Sequence, residues 1–290
     1  MKLQGPAGRI AALTVIGTAI VLPLVIFVLG PNMPPGNRTS GASAQVRDNT
    51  VLLVVMTPFT VFILVYLGYA IFAFRAAPGE ELQDGPPLRG HMPSQIAWLS
   101  VTSAAVLFLA IFGTAELFAS NGTGGGEGPK PIAKPSGPVL PVQVIGQQWE
   151  FTFRYPTYGG VETAELVLPV NREIEFHVTS IDVIHSFWAY ELGVKADANP
   201  GVDNVAYLET KNPTVFHVRC AELCGLYHGY MYNNGRVIDS AQFHFWASQQ
   251  EKLYAAIAPF MNKSPDQGGA PFSHSYLPAP GGGAPPVRAG

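Results

Sequence analysis

Two cysteines, a histidine and a methionine lie within twelve residues of one another, in the order C-x3-C-x3-H-x2-M. They are Cys220, Cys224, His228 and Met231, and the 290-residue chain contains no other cysteine. A thiolate pair with an imidazole suits zinc, iron–sulfur or copper, but a methionine thioether binds copper and almost never structural zinc. A zinc knuckle usually carries C-x2-C or C-x4-C and a second pair. The spacing therefore favours copper.

A second imidazole must come from another part of the chain. In the strand-like segment 215–220, alternation places His217 and Arg219 on the polar face, and His177 is expected on a polar, solvated face for the same reason. By elimination His185 is the best candidate, because it lies between predicted strands among apolar neighbours that could keep a metal dry. Two loops with four strong ligands could hold one copper, whereas two bridging thiolates suit two coppers.

Three apolar runs precede residue 120, at about 10–29, 51–74 and 96–119. Each is about 20 residues long, enough to cross a hydrocarbon core of ~30 Å as a helix. We therefore predict a transmembrane region over 1–119. The first run could instead be a signal peptide, but the small-residue pattern at 42–44 lies further from it than a cleavage site usually does.

The chain after the third helix is predicted to lie outside the cell membrane. Basic residues before the first helix and between the second and third give a weak positive-inside bias. We expect a multi-pass protein of a bacterial plasma membrane with its remaining domain on the extracytoplasmic side. In that oxidising compartment a Cys220–Cys224 disulfide is the main alternative to a metal site, although it would give His228 and Met231 no role.

Short β-type segments separated by turn signals predict a sandwich or barrel over 139–260. A last helix is predicted from about 240 to 258. The Gly/Pro-rich segment 120–138 is expected to be a linker, and the tail 261–290 is expected to be disordered. The predicted strands are residues 139–145, 149–155, 164–169, 173–179, 205–210, 214–219 and 236–239.

At the residues of the copper motif the chain resembles subunit II of cytochrome c oxidase, the subunit that carries the dinuclear copper A centre. The similarity extends over about 51–258 and includes LPVN at 168–171, TSIDVIHS at 179–186 and LGVKADANPG at 192–201. It implies a membrane-anchored α+β protein: N-terminal transmembrane helices, then a cupredoxin-like Greek-key β-sandwich and a C-terminal helix.

The resemblance also implies a role for each candidate ligand. The thiolates of Cys220 and Cys224 would bridge the two coppers. The imidazoles of His185 and His228 would cap them. The thioether of Met231 and the backbone carbonyl of Glu222 would be the remaining donors.

Three further roles follow from the resemblance. The Glu222 side chain would reach a magnesium shared with subunit I, and Trp149 would be the aromatic residue through which an electron from cytochrome c enters. Asp182 matches a docking acid of the family, whereas its neighbour Ile181 is apolar where some relatives carry a second acid. Region 139–260 has seven Lys or Arg against thirteen Asp or Glu, which suits a basic cytochrome c.

Two residues of the third helix bear on the membrane part. Gln95 precedes Trp98 by three residues, where many relatives have a glutamate at the mouth of a proton channel, and glutamine cannot take up and release a proton. Glu116 would be costly if it faced lipid, so we expect it to meet water, headgroups or subunit I.

The expected function is that of an electron-transfer subunit of a haem–copper terminal oxidase, an enzyme in which subunit I reduces oxygen to water. Its expected partners are subunit I, subunit III, cytochrome c and the lipid membrane, with no nucleic acid. A copper A subunit of a nitric oxide reductase would use the same ligands and stays an alternative. A metal-free quinol oxidase subunit would lack them, and a zinc-stabilised sandwich would have no use for Met231.

Overall fold

The computed structural model describes residues 5–34, 36–75, 79, 90–120, 122–126, 128–132, 135 and 137–261. The chain forms two compact units. The first consists of described residues up to 33 and within 46–116, and the second of those within 34–45 and from 117 onward. Residues 262–290, most of the tail predicted to be disordered, lie outside the described residues.

Three long helices carry the apolar runs. They are α1 (Pro6–Leu24), α2 (Ser40–Ala73) and α3 (Met92–Ala119), and α1 continues through further helical turns to Asn32. All three are long and apolar enough to cross a membrane. The predicted N-terminal apolar helices are confirmed, and they indicate a membrane-anchored protein.

Helix α2 begins eleven residues before the apolar run that predicted it. The apolar run marks the part of the helix suited to lipid, whereas the added turns carry polar side chains such as Gln45 and Arg47. Arg47 pairs with Glu116 of α3. We expected Glu116 to meet water, headgroups or subunit I, and its ion pair with Arg47 of the same chain was not predicted.

Two five-stranded sheets form the second unit. The first has the order β3-β2-β1-β5-β8 and the second β4-β10-β9-β6-β7, with parallel pairing only between β1 and β5 and between β4 and β10 among the described strands. This is the predicted cupredoxin-like sandwich, and α4 (Ser240–Met261) follows it. The strands are β1 (Val139–Gln147), β2 (Glu150–Tyr155), β3 (Val161–Thr163), β4 (Leu166–Pro169), β5 (Glu173–Ser180), β6 (His185–Ala189), β7 (Val194–Ala198), β8 (Asn204–Glu209), β9 (Thr214–Cys220) and β10 (Tyr232–Ile238).

All seven predicted strands exist, but β3, β6 and β7 were missed. The expectation that His185 lies between strands was wrong, because it is the first residue of β6. Strand β10 starts at Tyr232, four residues before its predicted start. The added residues include Asn-Asn-Gly, a sequence typical of turns. Asn233 is nevertheless buried, and its side chain bonds the backbone of Phe151 and Ala164. A tertiary contact thus overrides the local turn preference.

A layer of aromatic rings between the sheets forms the core. Phe187 of β6 has its ring centroid 5.1 Å from Phe176, 6.1 Å from Phe151 and 6.3 Å from Phe153, and all four are fully buried. Rings of this size bury large apolar areas, and tilted or edge-to-face pairs add about 0.5–1.5 kcal/mol each. The strands that carry the candidate ligands are therefore fixed to a rigid interior.

The glycine-rich linker docks on the edge of the second sheet. Gly126 donates its N–H to the carbonyl of Lys195 at 2.9 Å, and the N–H of Lys195 donates to Gly124 at 2.8 Å. These bonds add a short parallel bridge beside β7. The described part of this linker is consequently held by backbone hydrogen bonds without a core of its own.

Candidate metal centre

Three neighbouring strands bring the candidate ligands to one end of the second sheet. His185 opens β6, Cys220 closes β9, and Met231 immediately precedes β10. The backbone N–H of Cys220 donates to the carbonyl of Met231 at 3.2 Å, and Ala221 donates to Ser186 at 2.9 Å. Strand pairing therefore brings His185 next to Cys220 and Met231, which follow it by 35 and 46 residues in the chain.

Each candidate thiolate has an imidazole beside it. Sγ of Cys220 lies 3.7 Å from Sγ of Cys224 and 3.8 Å from Nδ1 of His185, and Sγ of Cys224 lies 3.5 Å from Nδ1 of His228. Both cysteines are free thiols, and their sulfurs are much further apart than the ~2 Å of a disulfide. The arrangement thus departs from the disulfide alternative and presents four strong donors to a shared space.

Two weaker donors complete the cluster. Sδ of Met231 lies 3.1 Å from Nδ1 of His185 and 3.7 Å from Sγ of Cys224. The carbonyl oxygen of Glu222 lies 3.1 Å from Sγ of Cys220. All six predicted ligands therefore meet, although the sequence alone provided only the spacing of those in one loop.

The inner part of the cluster is dry. The His185 side chain is 0% exposed and Met231 is 1% exposed, while His228 is partly open to solvent. Gly146 of β1 faces the His185 ring, and a Cβ at that position would lie 3.1 Å from it. A Cβ here would press on the ring, so glycine lets the first sheet cover this imidazole closely.

The two thiols differ in their ease of ionisation. Burial raises the pKa of Cys220, but hydrogen bonding with His185 and with backbone groups outweighs it and lowers the pKa to about 6. Burial and the neighbouring Cys220 sulfur raise the pKa of Cys224 to about 12. Without a cation only one thiolate is stable near neutral pH, whereas metal binding favours loss of both protons. The donor set fits a soft metal ion such as copper.

Asp182 holds the ring of His185. Its Oδ1 lies 2.9 Å from Nε2 of His185, and its two oxygens accept the backbone N–H groups of Gln148 at 2.7 Å and Val183 at 2.6 Å. Burial would raise the pKa of Asp182, but these hydrogen bonds lower it. Metal-binding histidines usually donate their second ring N–H to a carboxylate. The i,i+3 spacing of the two residues was the only signal of this role in the sequence.

Trp149 contacts the ligand loop directly. Its indole N–H donates to the carbonyl of Cys224 at 3.1 Å, and the side-chain amide of Gln148 donates to the same oxygen at 2.8 Å. The ring of Tyr227 stands edge-on to the indole, with centroids 4.8 Å apart. The contacts of Gln148 and Tyr227 were not foreseen from the sequence, because both residues come from segments that meet only in the folded domain.

Two further histidines of the sandwich, His177 and His217, are paired with carboxylates. His177 is mostly buried, so the expectation of a solvated residue was wrong, and its Nδ1 lies 2.9 Å from Asp203. His217 is about one-third exposed on the predicted polar face, with Nδ1 2.9 Å from Glu191. Neither belongs to the donor cluster.

The chain matches known proteins over the region that contains this cluster. Residues 161–238 match the sequence family described as cytochrome c oxidase subunit II, periplasmic domain. The chain is 27% identical over 289 residues to cytochrome c oxidase subunit 2 of Thermostichus vulcanus, covering 85% of this chain and 88% of that protein. It is 27% identical over 249 residues to the Synechocystis protein of the same name, covering 73% and 74%.

Among solved structures, the chain is similar to the periplasmic domain of cytochrome oxidase subunit II of Bradyrhizobium japonicum. The identity is 32%, the match covers 40% of this chain and 95% of that one, and the TM-score is 0.38. The family match over residues 161–238 includes all six donor residues, and the matches to the two subunit 2 relatives extend over 85% and 73% of this chain. The chain therefore belongs to the cytochrome c oxidase subunit II family, whose members are parts of the haem–copper oxidase complex.

Proposed function

We propose that this chain is the subunit that receives electrons from cytochrome c at a dinuclear copper A centre and passes them to haem in subunit I, where oxygen is reduced to water. The six-donor cluster at the dry end of the sandwich is the observation that carries this proposal. The proposed ligands are His185, Cys220, the carbonyl of Glu222, Cys224, His228 and Met231.

The symmetry of the donors supports two metals over one. Each sulfur of the Cys220–Cys224 pair has its own imidazole and its own weak donor within 3.8 Å. Two thiolates with separate nitrogen partners suit a bridged pair of ions. Bound copper would supply a one-electron redox site there. The protein's contribution is a rigid frame, since β6, β9 and β10 fix the donors before the metal binds.

Two different sides of the cluster suit the protein that donates the electron and the subunit that accepts it. Trp149 is half-buried against the carbonyl of Cys224, so we assign it as the residue through which the electron enters. Glu222 points its carbonyl to Cys220 while its side chain is exposed. That carboxylate is free to meet a partner subunit, and we propose that it shares a magnesium with subunit I.

Charge supports a basic electron donor. The acidic excess of region 139–260 raises the encounter rate with a cationic protein and weakens as salt shortens the ~8–10 Å Debye length. Asp182 stays a proposed docking acid, although its oxygens are already engaged by His185 and two backbone N–H groups. We place the copper domain on the extracytoplasmic side of a bacterial plasma membrane, with subunits I and III as partners.

Copper analysis of the assembled complex tests the proposal. The complex that contains the full-length chain should hold two coppers beyond the copper of subunit I and give an electron paramagnetic resonance signal of one unpaired electron shared between those two. Zinc in their place, or only one copper beyond that of subunit I, would contradict the proposal. Turnover with oxygen as the acceptor separates the oxidase from a nitric oxide reductase, which would turn over with nitric oxide instead.

A further inference from the structure

Three aromatic residues line the outer side of the ligand loop. Trp149 is half-buried, Tyr227 is 49% exposed and Tyr230 is 84% exposed. The Trp149 and Tyr227 centroids are 4.8 Å apart at an interplanar angle of 82°, and the Tyr227 and Tyr230 centroids are 6.3 Å apart. Edge-to-face packing of this kind fixes the orientation of both rings. Tyr227 is therefore the tyrosine of the two that contacts the indole closely.

The indole is held from three directions. Its N–H donates to the Cys224 carbonyl at 3.1 Å, which joins it to a ligand residue. Gly225 lies beneath it at φ +115°, and a Cβ there would lie 3.3 Å from the indole ring and 2.9 Å from Nε2 of Gln148. The loop therefore needs glycine to come this close. The third side, toward solvent, is covered by Tyr227.

The loop backbone fixes Tyr227 in turn. His228 donates its N–H to Gly225 at 3.2 Å, and Tyr230 donates to Tyr227 at 2.9 Å. These tight turns place Tyr227 next to a metal ligand in sequence and over the indole in space. No ligand atom depends on the Tyr227 ring, so its removal leaves the donor cluster intact.

We propose that Tyr227 is a positioning residue for electron transfer into this subunit: its ring holds the Trp149 indole against the Cys224 carbonyl. This inference rests on the proposed function, in which Trp149 receives the electron. One electron leaves the reduced cytochrome c and is accepted at the metal centre, and the rings keep their own oxidation state. A tilted indole would lose its contact with the ligand loop, and small misplacements of this kind slow reactions strongly.

Rapid-mixing kinetics on the purified oxidase that contains the full-length chain test the proposal. Tyr227→Leu should slow reduction of the metal centre by cytochrome c on the order of tenfold. Tyr227→Phe keeps the ring and should restore the rate. Tyr230→Leu is the matched control, because it removes a more exposed ring that does not touch the indole, and it should react at the wild-type rate. A small inorganic reductant, hexaammineruthenium(II), should reduce all variants equally.

Hydrogen exchange of the indole gives a readout that needs no metal. The full-length chain has four tryptophans, and ¹⁵N labelling in detergent gives an indole N–H signal for each, with Trp149 identified through Trp149→Phe. The Trp149 N–H should exchange faster in Tyr227→Leu than in wild type, and at the wild-type rate in Tyr227→Phe and Tyr230→Leu.

The outcomes distinguish this inference from the proposed function. If Trp149→Phe slows reduction but Tyr227→Leu neither slows it nor speeds exchange, the positioning role of Tyr227 is wrong and the role of Trp149 stands. An equal loss of rate in Tyr230→Leu would overturn it as well, because it would indicate general surface contact. If Trp149→Phe reacts at the wild-type rate, the assignment of Trp149 fails, and the positioning role fails with it.

Discussion

Two groups of histidines in the sandwich show how one residue type serves two purposes. At the end of the sandwich that holds the donor cluster, Asp182 hydrogen-bonds Nε2 of His185, and Nδ1 faces the sulfurs. Between β5 and β8, Asp203 takes Nδ1 of His177 at 2.9 Å, and Glu175 lies 3.6 Å from the other nitrogen. In the first case the carboxylate orients a proposed metal ligand, and in the second it completes an ion pair.

His217 belongs to the second group. Glu191 accepts from its backbone N–H at 3.0 Å and lies 2.9 Å from its Nδ1. The ring also stacks on Tyr232, with centroids 5.0 Å apart. The comparison teaches that a nearby acid does not by itself indicate a metal site. Which ring nitrogen the acid takes, and whether soft donors face the other, decides the role.

The strongest test of this contrast removes a sulfur. Cys220→Ser or Cys224→Ser should abolish the spectrum of a shared copper pair, because a hydroxyl is a poor replacement for a bridging thiolate. His217→Gln is the control from the ion-paired group and should leave the spectrum intact. Electron paramagnetic resonance of the purified complex measures both. A preserved signal in either serine variant would place the metal elsewhere.

Asp182→Asn tests the carboxylate directly. Loss of its charge should weaken copper binding by about tenfold or more, because a carboxylate hydrogen-bonded to a ligand imidazole orients the ring and raises its basicity. Asp203→Asn is the matched change at His177 and should leave copper affinity unchanged. Competition with a copper chelator measures both. Equal effects of the two substitutions would remove the distinction between the groups.

Met231→Leu sharpens the description of the ligand end. Copper should stay bound with an altered reduction potential, because four strong donors remain and only the thioether is lost. Leucine conserves volume at this 1%-exposed position, so the fold should lose less than about 1.5 kcal/mol. Spectroelectrochemical titration gives the potential. An unchanged potential would exclude Met231 as a ligand.

The smallest expected effect concerns the pH dependence of folding. Burial lowers the pKa of His177, but the hydrogen bond and charge of Asp203, with Glu175, raise it overall from 6.5. The folded state thus favours the charged imidazole, so this stabilisation is complete below pH 6.5 and is lost as pH rises through the raised value. Asp203→Asn should cost about 1–2 kcal/mol near pH 6 and less near pH 9.

Thermal unfolding of the full-length chain in detergent at the two pH values measures this difference. Glu191→Gln at the more exposed His217 is the control and should have a smaller effect, because solvent screens partly exposed pairs. A larger loss for Asp203→Asn at pH 9 than at pH 6 would contradict the sign of the linkage.

Much of the fold could be predicted from local sequence patterns. Apolar runs of about 20 residues predicted three membrane helices, and short β-type segments between turn signals predicted seven strands. The missed strand β7 has the sequence Val-Lys-Ala-Asp-Ala, whose alanines have low β-propensity. It exists because Ala196 and Ala198 are buried against the other sheet and β6 pairs with it. Small buried side chains of this kind acquire their role only from packing.

The sequence by itself determined the soft character of the proposed metal site, because Cys220, Cys224, His228 and Met231 are close enough along the chain to share one loop in any fold. Only the tertiary structure decided which distant imidazole joins them and which nitrogen it offers. That choice depends on contacts between strands: Asp182 and Gly146 fix His185 toward the sulfurs, whereas Asp203 binds His177 away from them. Local spacing carries no information about such pairings, since they form only when the sheets close.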